Sequence, residues 1–237
     1  MRISDREYQL QQKAISTFSS RVYGWMTLGL ATTAVVALFW YTSGLFVTLF
    51  SLWWVWCFAT LGVSLWINAR INQLTVTGIV GLFLTYSVLE GLFFGTVLPV
   101  YAASYGGGVI WAAFLTGASI FGAAALYGTL TKSDLTSWGR ILSLGLIGLI
   151  AVSLMFFIIS FFIPMPFMYL LICYLGLILF VALSAYDAQT IKKLSLQADI
   201  SSATSYKMSM IMALKMYLNV IMIFWYLLQI FGSGNKK

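Results

Sequence analysis

Three ionisable side chains, Glu90, Asp187 and Lys215, fall within or at the edge of long apolar stretches of the 237-residue sequence. A charge in hydrocarbon is costly, so residues placed this way mark ion pathways, proton relays or paired networks. Each also has a plainer reading. Asp187 stands at the cytoplasmic end of its stretch, where an acid is at home in water. Lys215 lies about 7 residues, or ~11 Å, inside its stretch, close enough for its stem to carry the ammonium back to the interface. Glu90 lies about 14 residues in, or ~21 Å, beyond easy reach of the surface. Its plainer reading is a neutral or paired carboxyl that only ties helices together.

Other chemistries are excluded by what is missing. The chain has no histidine, which removes Ser-His hydrolysis, histidine metal sites and a histidine proton relay. Intramembrane aspartyl catalysis needs two facing acids, and Asp187 has no second aspartate in an apolar stretch. A seven-helix photoreceptor carries its Schiff-base lysine in the last helix, where Lys215 stands. However, Ile211 occupies the position one turn earlier that such proteins give to an acid, and the third stretch has no arginine. The expectation is a protein that is not an enzyme and uses no cofactor.

The elements that must position these residues follow from composition. Hydrophobic residues make up 61% of the chain and charged residues 8%, against roughly a quarter charged in an average soluble domain. Polar residues to coat a water-facing surface are lacking, so the solvent is the lipid bilayer. There the backbone must satisfy itself in helices or in a closed barrel. A barrel alternates apolar and polar residues over about 10-residue strands. This sequence instead shows apolar blocks of about 20 residues, the length that crosses ~30 Å of hydrocarbon as a helix. The fold class expected is all-α: a polytopic bundle of seven transmembrane helices. The spans read as Val22–Tyr41, Leu45–Trp66, Val76–Leu98, Val109–Leu130, Ile141–Phe162, Phe167–Tyr186 and Met208–Phe231. Turns are marked by Thr42-Ser43-Gly44, the polar run Asn68 to Gln73, Gly106-Gly107-Gly108 and Pro164-Met165-Pro166. Residues 1–20 read as a cytoplasmic N-terminal segment without a cleavable signal, 21–232 as the membrane domain and 233–237 as a short tail.

The net charge of +7 reports topology rather than nucleic-acid binding. Arg2, Arg6, Lys13, Arg21, Arg70, Lys132, Arg140, Lys192, Lys193 and Lys207 all fall on one side, while the loops opposite carry no positive charge. That bias puts the N-terminus in the cytoplasm and the C-terminus, with Lys236 and Lys237, outside. Cys57 and Cys173 sit in apolar blocks and read as packing residues. Trp25, Trp40, Trp66 and Trp111, near span ends, suit interface anchoring. Small residues four apart, Ala113/Gly117, Ala118/Gly122 and Ala124/Gly128, predict close approach of the fourth span to its neighbours.

Several motifs together resemble the transmembrane Bax-inhibitor family. Tyr186-Asp187-Ala188-Gln189-Thr190-Ile191 resembles its Tyr-Asp-x-Gln-x-Ile signature, and Thr131-Lys132-Ser133-Asp134-Leu135, followed by Gly139, resembles its Thr-Lys-x-Asp-Leu loop. Val22-Tyr23-Gly24-Trp25-Met26-Thr27 looks like the opening of the bacterial branch. Ala213-Leu214-Lys215-Met216-Tyr217-Leu218-Asn219 looks like the last-helix motif Ala-Leu-x-Leu-Tyr-Leu-Asp. The resemblance runs in order from about Arg21 to Gly232.

It implies six helices around a central seventh, and a pH-sensitive calcium leak gated by two facing carboxylates. The first maps to Asp187, and the second to a position that is Asn219 here. A family arginine near the end of the second helix is matched loosely by Arg70. Glu90 stands before Gly91 where many relatives have Ser or Thr, and Lys215 stands where they have a small or hydroxylated residue. Lys215 and Asn219 are one turn apart and share a helix face. The expected ion path is a polar seam of Glu90, Asp187, Lys215 and Asn219. Counted from the span ends, however, Asp187 and Asn219 differ by ~15 Å in depth, whereas the family arrangement has them touching. The leading reading is a calcium or cation leak in a bacterial-type inner membrane. The alternatives are a non-conducting regulator that binds membrane-protein partners such as a protease, and a proton-coupled transporter using Glu90.

Overall fold

The computed structural model describes residues 5–48, 55–56, 58–60, 62–63, 74–197 and 202–234, and among them regular structure is entirely helical. The helices are α1 (Asp5–Thr42), α2 (Leu45–Thr48), α3 (Val76–Tyr105), α4 (Gly107–Leu130), α5 (Trp138–Ser160), α6 (Pro166–Gln197) and α7 (Ala203–Gly234). Six of them, α1 and α3 to α7, are long and apolar enough to cross a membrane. The protein is therefore an all-α polytopic membrane protein. Half of the expected second span, Leu45–Trp66, falls outside the described residues; Leu45–Thr48 and residues 55–56, 58–60 and 62–63 within it are helical.

Two of the expected turns rest on left-handed glycines. Gly44 (φ 71°) ends α1, and Gly106 (φ 83°) separates α3 from α4, a conformation that glycine adopts without steric cost. Residues 5–20 are the first turns of α1, so the helix runs unbroken through the segment expected to precede the membrane domain. α3 likewise continues six residues past Pro99.

The departure from the expected boundaries that bears on Asp187 is at α6. The apolar stretch ends at Tyr186, but the helix continues to Gln197. Ala188, Gln189, Ile191 and Ser195 beyond that point are buried, so this polar run packs against protein instead of opening into a loop. Asp187 is thus well inside its helix. α7 also begins earlier than expected, at Ala203, so Asn219 too lies well inside its helix. The expected difference in depth between Asp187 and Asn219 came from equating the end of apolarity with the end of the helix.

The chain divides into two compact units, Met1–Ser104 with Lys193–Tyr217, and Tyr105–Lys192 with Leu218–Lys237. In the first, Phe18, Val22, Met26, Thr33 and Trp40 form one buried stripe along α1 at helical spacing. A Cβ on Gly91 of α3 would lie 2.9 Å from the Thr33 carbonyl oxygen and 2.6 Å from Val36 Cβ. The two backbones approach this closely only because no side chain intervenes. Trp40 Nε1 donates to Thr96 Oγ1 at 3.0 Å along the same seam.

In the second unit, Gly128 of α4 meets the Ala185 carbonyl of α6, and Gly117 packs against Ile223 and Leu227 of α7. Ala113, Gly117, Ala124 and Gly128 are buried, as the four-residue spacing predicts. Ala118 is exposed and Gly122 has no neighbour within 4 Å, so that third pair faces outward. Cys173 is buried; Cys57 lies outside the described residues.

Burial separates the helices sharply. In its most apolar stretch α7 is 61% buried, against 6% to 33% for the other five. At the other extreme α5 buries Leu142 alone, and its half-buried positions, Gly139, Leu146, Leu149, Ser153, Phe156 and Ile159, extend Leu142 into one narrow stripe.

Candidate functional site

α6 and α7 bring together an acid and an amide. Asn219 Nδ2 donates to Asp187 Oδ2 at 2.8 Å, and each residue is 4% exposed. An ionised carboxylate only accepts, so the amide must present its nitrogen. The pair expected from the family motif is therefore in contact.

Two residues further along α6, Gln189 clasps the loop between α4 and α5. Its Oε1 accepts from Leu135 N at 2.8 Å, and its Nε2 donates to the Ser133 carbonyl at 2.7 Å. Lys192 Nζ, one turn on, donates to the Thr129 carbonyl near the end of α4 at 2.8 Å. Asp134 Oδ1 accepts from the backbone and hydroxyl of Thr136, fixing the loop's own turn. The Tyr186 ring lies against Gly139, where a Cβ would collide with it. The Thr131–Leu135 loop and the Tyr186–Ile191 helix segment, two separate sequence motifs, thus form one connected structure around Asp187.

Glu90 occupies the other unit. It sits midway along the 30-residue α3 and is 7% exposed. Tyr86, one turn earlier, donates its hydroxyl to Glu90 Oε1 at 2.7 Å. A second polar group is adjacent: Thr33 Oγ1 of α1 donates to the Ser87 carbonyl at 2.9 Å and lies 2.7 Å from the Tyr217 hydroxyl of α7. A threonine hydroxyl has one proton; with that proton on Ser87, the Tyr217 hydroxyl is the donor to Thr33. The Tyr217 ring meets Phe83 and Tyr86 edge-on at 5.4 and 5.9 Å.

Of the residues expected to line a seam, Asp187 and Asn219 meet, and Glu90 pairs with Tyr86. Lys215 is exposed, although Asn219 one turn later is buried. Arg70 lies outside the described residues. Sequence reasoning missed Tyr86 and Thr33, and it named Gln189 and Tyr217 as motif residues without giving either a role. Tyr86 had a signal, since positions four apart on a helix are neighbours. Thr33 had none, because hydroxyls are common in membrane helices and its pairing with Tyr217 is long-range.

The comparisons agree with this architecture. Residues 15–236 match the family described as "Inhibitor of apoptosis-promoting Bax1". An uncharacterized protein of Chlamydia muridarum is 60% identical over 237 residues, covering 100% of both chains. The "Inner membrane protein YbhL" of Escherichia coli is 35% identical over 226 residues, 92% of each chain. A Deinococcus radiodurans protein is 33% identical over 231 residues, 96% of this chain and 95% of its own. Fold and buried polar pairs define a helical membrane protein of the polytopic class. With these matches the assignment is specific: the chain belongs to the Bax inhibitor-1 family.

Proposed function

We propose that the protein is a calcium-permeable cation leak, modulated by pH, in which the Asp187–Asn219 hydrogen bond is the closed latch. The observation that carries this reading is a buried acid held by a neighbouring amide at 2.8 Å. While the bond is made, one carboxylate oxygen is occupied and the helices are tied. When it breaks, that oxygen can attract a cation, as acidic residues do along conducting paths. The bilayer is the medium, and membrane-protein partners are a further expectation of this reading.

The arrangement we favour is seven spans, with Leu45–Trp66 as the second and α7 central; the high burial of α7 supports that position. The name of the Escherichia coli relative, an inner membrane protein, supports the same location here. The lysine and arginine bias supports a cytoplasmic N-terminus and an external C-terminus.

Purified protein in calcium-loaded liposomes is the test. Calcium release above protein-free vesicles is the expected outcome. Tight vesicles, with a membrane protein that co-purifies, would instead favour the non-conducting regulator.

A further inference from the structure

Glu90 is a buried carboxyl that the Asp187–Asn219 latch does not use. Around it, α3 contributes the Tyr86 hydroxyl, α1 contributes uncharged groups including Thr33, and α7 contributes the Tyr217 phenol. Among the described residues no lysine or arginine is paired with it. Among the described residues those two phenols are the titratable groups that face it. An ionised carboxylate in that setting lacks the counter-charge that a buried charge requires. Something must neutralise it.

A metal ion fits poorly. Calcium takes about 6–8 oxygen ligands, and the oxygens nearby are already engaged with one another: Thr33 with the Ser87 carbonyl and Tyr217, and Tyr86 with Glu90 itself. Among the described residues no three acids, cysteines or histidines gather to hold a metal. A proton needs no such shell. It adds to one carboxyl oxygen while the other continues to accept from Tyr86.

We propose that Glu90 is an exchangeable proton-binding site, with Tyr86 as the residue that positions its carboxyl. The reaction is loss of the carboxyl proton to water and its return from water. The ionised form draws water toward the packed contact of α1, α3 and α7, and the protonated form lets it close dry. Proton binding thereby sets the packing of the Tyr86–Thr33–Tyr217 cluster. This inference does not rest on the leak or on the Asp187–Asn219 latch.

The sequence makes the experiment clean, because the chain has two glutamates, Glu7 and Glu90. A full-length Glu7→Gln variant, carrying carboxyl-labelled [13C]glutamate and reconstituted in liposomes, has a single glutamate to observe. Infrared difference spectra would be taken from about pH 5 to about pH 9, bracketing the range documented for buried carboxyls. The expected result is an isotope-shifted carbonyl band of a protonated carboxyl that declines as pH rises. Tyr86→Phe should move that band, because its frequency depends on the lost hydrogen bond, whereas a merely structural role for Tyr86 would leave it in place. No protonated band at any pH would overturn the proposal, as would a band of constant size, which marks a proton that never exchanges. The labelled glutamate gives the answer without any substitution at position 90.

Discussion

The side-chain amide of Asn219 donates to Asp187 across 2.8 Å, and both partners are buried. Two facing acids repel when both are ionised, so such a pair holds one proton to higher pH and titrates as a switch. An acid and an amide have no such repulsion. The proposed leak should therefore depend only weakly on pH near neutrality, or respond at more acidic pH than in relatives with two acids. Asn219→Asp should give a steeper response closer to neutral. Calcium flux through both proteins from about pH 5 to about pH 8, the range where perturbed carboxyls can titrate, checks this. A wild-type response as steep as that of the variant would end the idea.

Asn219→Leu removes the donor and keeps the bulk. It should destabilise the protein by about 1–3 kcal/mol, the usual cost of a buried acceptor losing its hydrogen bond. Thermal unfolding in detergent measures it, and an unchanged midpoint would mean that the bond contributes nothing net.

Gly128 and Gly122 make a matched pair on α4. A Cβ at Gly128 meets the Ala185 backbone, which cannot turn aside, whereas one at Gly122 meets nothing within 4 Å. Gly128→Ala should cost about 1–3 kcal/mol, typical of overpacking, while Gly122→Ala should stay within about 0.5 kcal/mol. Equal losses in a thermal or denaturant titration would refute the close approach of α4 and α6.

Gln189→Glu keeps the acceptor for Leu135 N but loses the donor to the Ser133 carbonyl; Gln189→Leu loses both. Hydrogen exchange at the Leu135 amide should be fastest in the Leu variant, with the Glu variant closer to wild type. The same rate in all three proteins would show that the clasp does not hold the loop.

The number of spans fixes the relation of the termini. Reporter fusions after Lys237 should read as external, and fusions within residues 198–202 as cytoplasmic. An external reading within 198–202 together with a cytoplasmic one after Lys237 would remove Leu45–Trp66 from the set of spans.

Most of the helices were legible because bilayer thickness imposes a length and apolarity that composition reveals directly. What stayed hidden lay where polar residues are satisfied by protein. Gln189 and Lys192 look like the start of a loop, yet they are helical because their partners are backbone atoms of the α4–α5 loop and of the end of α4, more than fifty residues earlier. The Asp187–Asn219 contact was legible through motif resemblance, while counting residues from apolar boundaries argued against it. The outward position of Lys215 was illegible for another reason: a residue one turn from Asn219 can share its face or flank it, and only the neighbouring helices decide.

α5 touches the rest of its unit along a single narrow stripe, with Leu142 its one buried side chain. Nearly every other position on that helix is asked only to dissolve in acyl chains, a demand that Leu, Ile, Val, Phe and Met meet equally well. In a deep mutational scan α5 should therefore be the most permissive span, with apolar exchanges neutral almost everywhere and constraint concentrated at Leu142 and at Gly139 beneath Tyr186. That helix stores little information about shape, and its sequence is free to wander at constant oiliness.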